Sequence, residues 1–213
     1  MDRYQSTFNM YNKVAQLYQD KFMDLNLYDD TYDLFCQYIK KQNAPIFEIA
    51  CGPGNITKYI LTKRPDFIVE AIDMAPNMLA LANINNPTAH FQLMDCRAID
   101  TLNSKYDGII CGFCLPYLSK QDCLKLIKDS RALLNVDGIL YLSAIEGDES
   151  LSGYETNSKG EDPIYINYYD EHFLTSSLME HHFEILDVVS KPYMIKEDVW
   201  STHLIIIAKR NHL

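Results

Sequence analysis

Apolar and polar positions follow two periodicities along this chain of 213 residues, and the change falls at Pro45. In the first forty residues, apolar side chains recur at steps of three and four, which predicts two amphipathic helices. One apolar stripe covers residues 8–25 and the other covers residues 28–39. Residues 1–40 are therefore expected to form a helical cap.

After Pro45, short apolar runs alternate with helical segments, a pattern typical of βαβ units. Strands are predicted near residues 46–50, 67–73, 89–94, 106–112, 138–144, 183–189 and 203–209, and helices near 55–63, 76–84, 120–134 and 170–181. The connection between the last two strands is too short for a crossover helix, which favours an antiparallel hairpin. The predicted fold class is α/β: a doubly wound, mostly parallel seven-stranded sheet with the last strand antiparallel, plus the N-terminal helical cap.

The length fits a single domain over residues 1–213. Behind the cap we expect a cofactor-binding half at 44–146, a polar loop or flap at 147–169, and a C-terminal helix and β-hairpin at 170–213. Local signals support some boundaries. Pro76 suits a first helical position, Ser119 with Asp122 forms a capping box, and Gly138 follows a helix expected to end near residue 135.

Composition excludes several classes of protein. The net charge of −10 and pI near 5.0 disfavour a nucleic-acid partner, which needs clustered Lys and Arg. The sequence shows neither a leader-like start nor a bilayer-length apolar run, so we expect a cytoplasmic protein with no membrane partner. The expected assembly is a monomer or a homodimer. The six cysteines are expected to be reduced core residues. Cys111 and Cys114 have metal-site spacing without a second pair, so no metal is expected.

Candidate chemistry begins where the first strand ends in the turn Cys51-Gly52-Pro53-Gly54, which opens a helix. Such a turn lets backbone N–H groups approach a nucleotide-like ligand. Asp73 follows the next strand, where an acidic side chain can accept hydrogen bonds from ribose hydroxyls. Thr57 stands where a dinucleotide-binding turn has its third glycine, which disfavours NAD. The pattern predicts an adenosine-containing cofactor.

Four segments resemble, in order and spacing, the successive motifs of class I S-adenosylmethionine-dependent methyltransferases: 48–55, 71–78, 92–96 and 106–113. The opening helix, residues 11–18, is similar to that of small-molecule methyltransferases with an N-terminal helical cap. The resemblance implies S-adenosyl-L-methionine as cofactor. It also implies methyl transfer to an O, N, S or C nucleophile of a small-molecule methyl acceptor.

The resemblance also assigns cofactor contacts to positions of this sequence. Around the methionine portion it places Tyr18, Glu48, Ala50, Cys51, Gly52 and Gly54. Around the adenosine portion and the end of the fourth strand it places Asp73 on the ribose, Met74 and Met78 beside the adenine, Asp95 and the Cys96 amide at its exocyclic amine, and Gly112 and Phe113. Ala50 and Ala75 depart from the usual glycine and helix-capping serine of the family.

Substrate contacts are less constrained by the sequence. Candidates are Tyr11, Tyr117, Tyr168 and His172, although tyrosines at helical spacing also suit simple packing of the cap and His172 also suits the surface. The sequence names no catalytic residue. Two other functions remain open at this point: an NAD(P)-dependent oxidoreductase, and a non-catalytic partner subunit that binds S-adenosylmethionine.

Overall fold

A computed structural model describes residues 3–156 and 163–212. Its strands are β1 (Pro45–Ile49), β2 (Ile68–Asp73), β3 (His90–Leu93), β4 (Tyr106–Cys111), β5 (Leu134–Ile145), β6 (Gly153–Glu155), β7 (Ile164–Ile166), β8 (Phe183–Lys196) and β9 (Val199–Arg210). Seven form one sheet in the order β3-β2-β1-β4-β5-β9-β8. Strands β1 to β5 are parallel, and β9 is antiparallel to both neighbours. The predicted fold class is confirmed.

The helices are α1 (Arg3–Lys13), α2 (Ala15–Phe22), α3 (Asp29–Tyr38), α4 (Asn55–Lys63), α5 (Pro76–Asn85), α6 (Lys120–Leu133) and α7 (Glu171–Glu180). The prediction of two cap helices is wrong, because the cap contains three. The backbone at Val14 leaves the helical region, with ψ of 14°, and separates α1 from α2. The apolar stripe continues in step across this break, so side-chain periodicity does not reveal it.

The last two strands form the predicted antiparallel hairpin, but the hairpin is longer than predicted. The segment 190–202 was expected to be a connection, whereas β8 continues to Lys196 and β9 begins at Val199. Only Glu197 and Asp198 form the turn. Strand β5 ends opposite His203, so the part of the hairpin beyond that residue extends past the rest of the sheet.

The start of helix α5 shows how the N-terminal helical cap is attached to the rest of the chain. Helix α5 begins at Pro76 as predicted, and Ala75 gives it no side-chain cap. Asn12 of α1 supplies one instead: its Oδ1 accepts from the Asn77 backbone N–H at 2.8 Å, and its carbonyl accepts from the Asn77 amide at 2.8 Å. The Asn12 side chain thus satisfies a backbone N–H at the start of α5 that has no partner within the helix. The Asn12–Asn77 pair also joins the helical cap to the cofactor half.

The Ser119 cap of α6 is confirmed, since its hydroxyl accepts from the Asp122 N–H at 3.0 Å. The Asp122 carboxylate does not complete a capping box. It accepts instead from the hydroxyls of Ser119 and Tyr4 of the cap. The predicted strand start at Gly138 is wrong, because β5 begins at Leu134 with an irregular register against β4.

Side chains alternate between the two faces of the sheet. Ile46, Ile110 and Ile205 pack with α3 and α4, and the intervening positions pack with α6 and α7. The predicted flap contains the two-stranded ribbon of β6 and β7. Part of the predicted loop, residues 157–162, lies outside the described residues. Within the described ranges, every helix is too short or too polar to cross a bilayer.

Candidate cofactor and acceptor site

The carboxyl ends of the parallel strands and the cap helices enclose a cavity of about 440 Å³. This volume is within the range of small-molecule sites, roughly 300–1,000 Å³. Most predicted site residues line it: Tyr11, Tyr18, Ala50, Cys51, Gly52, Asp73, Met74, Met78, Asp95, Cys96, Gly112, Phe113 and Tyr117. Because strand ends in a parallel sheet share one edge, residues distant in sequence meet here.

Asp73 connects the glycine turn to the next loop. Its Oδ2 accepts from the Gly52 N–H at 2.9 Å, and its Oδ1 accepts from the Ala75 N–H at 2.8 Å. Burial raises the pKa of Asp73, while these backbone hydrogen bonds oppose the rise. A carboxylate oxygen has two lone pairs, so each can also accept from a ligand hydroxyl. The ribose assignment stays a prediction, and this geometry is compatible with it.

The turn contains three left-handed residues, Ala50, Gly52 and Gly54, with φ of 57°, 54° and 79°. At Gly54 a Cβ would lie 2.4 Å from the amide nitrogen of Asn86, which donates to the Gly54 carbonyl at 2.9 Å. At Gly52 a Cβ would meet only a Tyr18 ring carbon at 3.7 Å. Gly54 does not line the cavity, so its glycine is required by packing rather than by ligand contact.

Glu48 lies behind the turn and does not line the cavity, so its predicted place around the methionine portion is not supported. The strand alternation directs its side chain toward α4, where the Thr57 hydroxyl donates to its Oε2. Burial raises the pKa of Glu48 to about 8, although the bonds from Thr57 oppose the rise. Thr57 therefore has a structural partner at the position where a dinucleotide-binding turn has glycine.

At the opposite end of the sheet edge, Asp95 is paired with Arg97. The guanidinium donates to Oδ2 through Nη2 at 2.5 Å and through Nε at 3.0 Å, and the Arg97 backbone N–H donates to Oδ1 at 2.9 Å. Burial acts to raise the pKa of Asp95, but the hydrogen bonds from Arg97 outweigh it and lower the pKa. Arg97 also lies 3.9 Å from the centre of the Tyr4 ring. Sequence analysis missed Arg97, whose signal is its position two residues after Asp95.

Three tyrosines close the cavity beneath the cap. The Tyr11 and Tyr117 hydroxyls are hydrogen-bonded to each other, and their ring centres are 5.3 Å apart. Tyr18 packs edge-on against Tyr11 at 5.8 Å. Desolvation raises the pKa of each of these hydroxyls, so they remain neutral donors and acceptors. The cap therefore presents uncharged aromatic groups to the cavity.

Two predicted substrate residues lie elsewhere. Tyr168 is half-buried beside the flap, where its hydroxyl donates to Glu155 at 3.4 Å. His172 is exposed on α7, with Nδ1 3.4 Å from the Ser176 hydroxyl. Neither lines the cavity; the segment that carries them pairs with the residues that follow β5, where Tyr169 bridges to Glu146. Their predicted contacts with substrate are not supported by these positions.

The wall beyond β4 combines Phe113, which the sequence identified, with residues that it did not. His203 of β9 lies with its ring centre 4.7 Å from those of Phe113 and Tyr193, and its Nδ1 is 2.6 Å from the Tyr28 hydroxyl. Burial lowers the pKa of His203 to about 4, so the imidazole is neutral at pH 7. Phe113 is fixed with φ of 55°, and its N–H donates to Ser143 at 2.8 Å.

The cysteines carry no metal signature. All six are free thiols, and the Sγ atoms of Cys96 and Cys114 are 3.6 Å apart. Across the part of the chain that the structure describes, no group of three or more His, Cys, Asp or Glu side chains is arranged to hold a metal ion.

Comparison with known proteins identifies a family match over part of the chain and similar folds over most of it. Residues 46–138 match the family described as "Methyltransferase domain". The structure of 1,6-didemethyltoxoflavin-N1-methyltransferase from Burkholderia thailandensis, with its substrate and S-adenosylhomocysteine bound, superposes with a TM-score of 0.73 and 17% identity, covering 97% of this chain and 88% of that one. Part of the chain thus matches a methyltransferase domain, and the whole chain has the fold of class I S-adenosylmethionine-dependent methyltransferases.

Two curated relatives share shorter segments. Putative methyltransferase 235L of Invertebrate iridescent virus 6 is 34% identical over 76 residues, which is 36% of this chain and 28% of that protein. Trans-aconitate 2-methyltransferase of Mycobacterium ulcerans is 39% identical over 51 residues, which is 24% of this chain and 19% of that protein. The chain therefore spans less than a third of the length of these relatives.

Proposed function

We propose that this chain transfers the methyl group of S-adenosyl-L-methionine to an O, N, S or C nucleophile of a small molecule. The observation that carries the proposal is the half-buried Asp73 carboxylate, held by the N–H groups of Gly52 and Ala75 at the cavity wall. This arrangement presents hydrogen-bond acceptors to a ribose at the junction of the first two strands. The matched methyltransferase domain supports the same conclusion.

The charges around the cavity favour a cationic cofactor. Of the described residues that line the cavity, the acidic and basic ones are Asp73, Asp95 and Arg97, and Arg97 is paired with Asp95. The remaining negative charge suits a sulfonium and an ammonium group. An NAD(P) pyrophosphate would meet the Asp73 carboxylate, which already occupies the Gly52 N–H. The oxidoreductase alternative is therefore disfavoured.

S-adenosyl-L-methionine supplies a methyl group already activated by the positive sulfur, so the protein's main task is positioning. We assign Met74, Met78, Asp95 and the Cys96 amide to the adenine, and Tyr18 with the backbone of residues 50–52 to the methionine portion. Holding nucleophile and methyl carbon in line can contribute about 7–11 kcal/mol. The cap tyrosines exclude water from this arrangement.

The acceptor is proposed to be a small molecule rather than a nucleic acid, because the net charge of −10 opposes a phosphate backbone. Six reduced cysteines suit a cytoplasmic setting. A monomer or homodimer remains the expected assembly.

Thermal melting tests the cofactor. S-adenosylhomocysteine at a hundred times its dissociation constant should stabilise the chain by about 2.7 kcal/mol, or roughly 5–10 °C, and NADH should give no shift. Asp73→Ala should abolish the shift. Asp24→Ala, which changes an exposed aspartate, is the control and should retain it. A shift with NADH and none with S-adenosylhomocysteine would contradict the proposal, while binding without turnover on any acceptor would indicate a non-catalytic partner subunit.

A further inference from the structure

The strand order divides the cavity into two ends. The residues proposed for ribose and adenine follow β2 and β3, at one side of the central β1 turn. If the proposed cofactor binds in this direction, its methyl group faces the other side, toward the carboxyl ends of β4 and β5 and the part of antiparallel β9 around His203. This inference therefore rests on the proposed function, and it concerns the acceptor.

That end of the cavity is an aromatic wall made by Tyr28, Phe113, Tyr193 and His203, all of which line the cavity. The imidazole stacks on the Tyr193 ring with an interplanar angle of 15°. Tyr28 packs against Phe113 at 5.0 Å and is hydrogen-bonded to the His203 imidazole. The imidazole ring is therefore held both by Tyr193 and by Tyr28. The wall offers flat apolar surfaces to a planar ring, since aromatic groups pack by offset or edge contacts.

The charged groups near the wall are already paired. Lys191 is the cross-strand neighbour of His203, and its Nζ is 2.5 Å from Asp30 of α3. Neither lines the cavity, and the neighbour of His203 on the β5 side is the apolar Ile145. Arg97, at the adenine end, is the one Lys or Arg among the described lining residues, and Asp95 neutralises it. The wall therefore offers no cation to a carboxylate acceptor such as trans-aconitate.

We propose that His203 takes the proton from an uncharged aromatic or heteroaromatic acceptor that carries a hydroxyl or ring N–H, bound against the aromatic wall, with Tyr28 as positioning residue. The proposal requires the tautomer in which Nδ1–H donates to the Tyr28 oxygen, because this tautomer leaves the Nε2 lone pair as acceptor. The acceptor's lone pair forms the new bond to the methyl carbon, and the C–S bond breaks with its electron pair passing to sulfur. The acceptor proton passes to Nε2 and then to solvent.

A neutral, weakly basic imidazole is sufficient for this step. The proton becomes strongly acidic as the O or N atom gains the methyl group and positive charge. A base is therefore needed only as the new bond forms. Because burial keeps His203 unprotonated at pH 7, the imidazole can accept this proton. Tyr28 remains neutral, because burial raises its pKa.

The test uses labelled S-adenosylmethionine with three acceptor panels: phenols, azoles and carboxylates. Turnover is expected with phenols or azoles and not with carboxylates. His203→Gln should lower kcat by about 10²–10⁴-fold while the melting shift with S-adenosylhomocysteine is unchanged. His90→Gln, at an exposed histidine of β3, is the matched control and should keep parental kcat.

Tyr28→Phe is the second variant, because it keeps the ring and removes only the hydroxyl that orients the imidazole. It should lower kcat and alter the pH profile of kcat, with cofactor binding retained. Faster turnover of carboxylates, no turnover of any phenol or azole, or His203→Gln within threefold of parental kcat would overturn the inference. If the parental chain did not bind S-adenosylhomocysteine, the proposed function would be overturned instead.

Discussion

Glu48 allows a direct test of the buried polar pair behind the glycine turn. Folded Glu48 keeps its proton up to about pH 8, whereas its ordinary pKa is 4.5. Unfolding therefore releases a proton between these values, and the free energy of unfolding must fall as pH rises through this window. At 1.36 kcal/mol per pKa unit, the full difference corresponds to about 5 kcal/mol, lost progressively up to pH 8.

The perturbation is Glu48→Gln, which keeps the shape and an acceptor for the Thr57 hydroxyl but cannot ionise. Urea denaturation from pH 5 to pH 9 should show parental stability falling relative to the variant by several kcal/mol, so that the variant is the more stable protein at pH 9. Groups common to both proteins cancel in this difference. Glu149→Gln, at an exposed glutamate, is the control and should track the parental chain. A constant parental-minus-variant difference across this range would refute a protonated Glu48.

Two further substitutions test contacts that hold the site together. Asn12→Ala should destabilise the chain by about 0.5–2 kcal/mol, because it removes the cap that α1 supplies to α5; Asn9→Ala, on the exposed face of α1, should cost less in the same denaturation experiment. Gly54→Ala should lower the free energy of unfolding more than Gly52→Ala does, because only a Cβ at position 54 clashes with a neighbouring side chain. Gly52→Ala should cost mainly the roughly 1–2 kcal/mol of placing a non-glycine residue in the left-handed region. Equal losses at the two glycines would contradict the assigned packing role.

The cofactor half of the site could be predicted because its signals are local. A predicted strand followed by a turn indicates which residue comes directly after the carboxyl end of the strand. Because the strands are parallel, these residues meet at one edge of the sheet: Gly52, Asp73, Asp95 and Phe113. The limit appears at Glu48. Sequence identifies a costly buried carboxylate, but the partner that makes it tolerable, Thr57, follows only from the way α4 packs on the strand.

Apart from Phe113, the aromatic wall proposed for the acceptor could not be predicted, because His203 and Tyr193 meet through strand register rather than through a local motif. His203 reaches Tyr193 only if β8 continues beyond residue 189, and segment 190–202 lacks the period of two that would indicate this. Residues 194–200 of the hairpin lie beyond the edge of the sheet and are exposed, so no neighbouring strand imposes an alternating pattern there. The proposed acceptor wall therefore lies in the part of the fold whose sequence pattern is least informative, and residues such as His203 can be identified only from the three-dimensional structure.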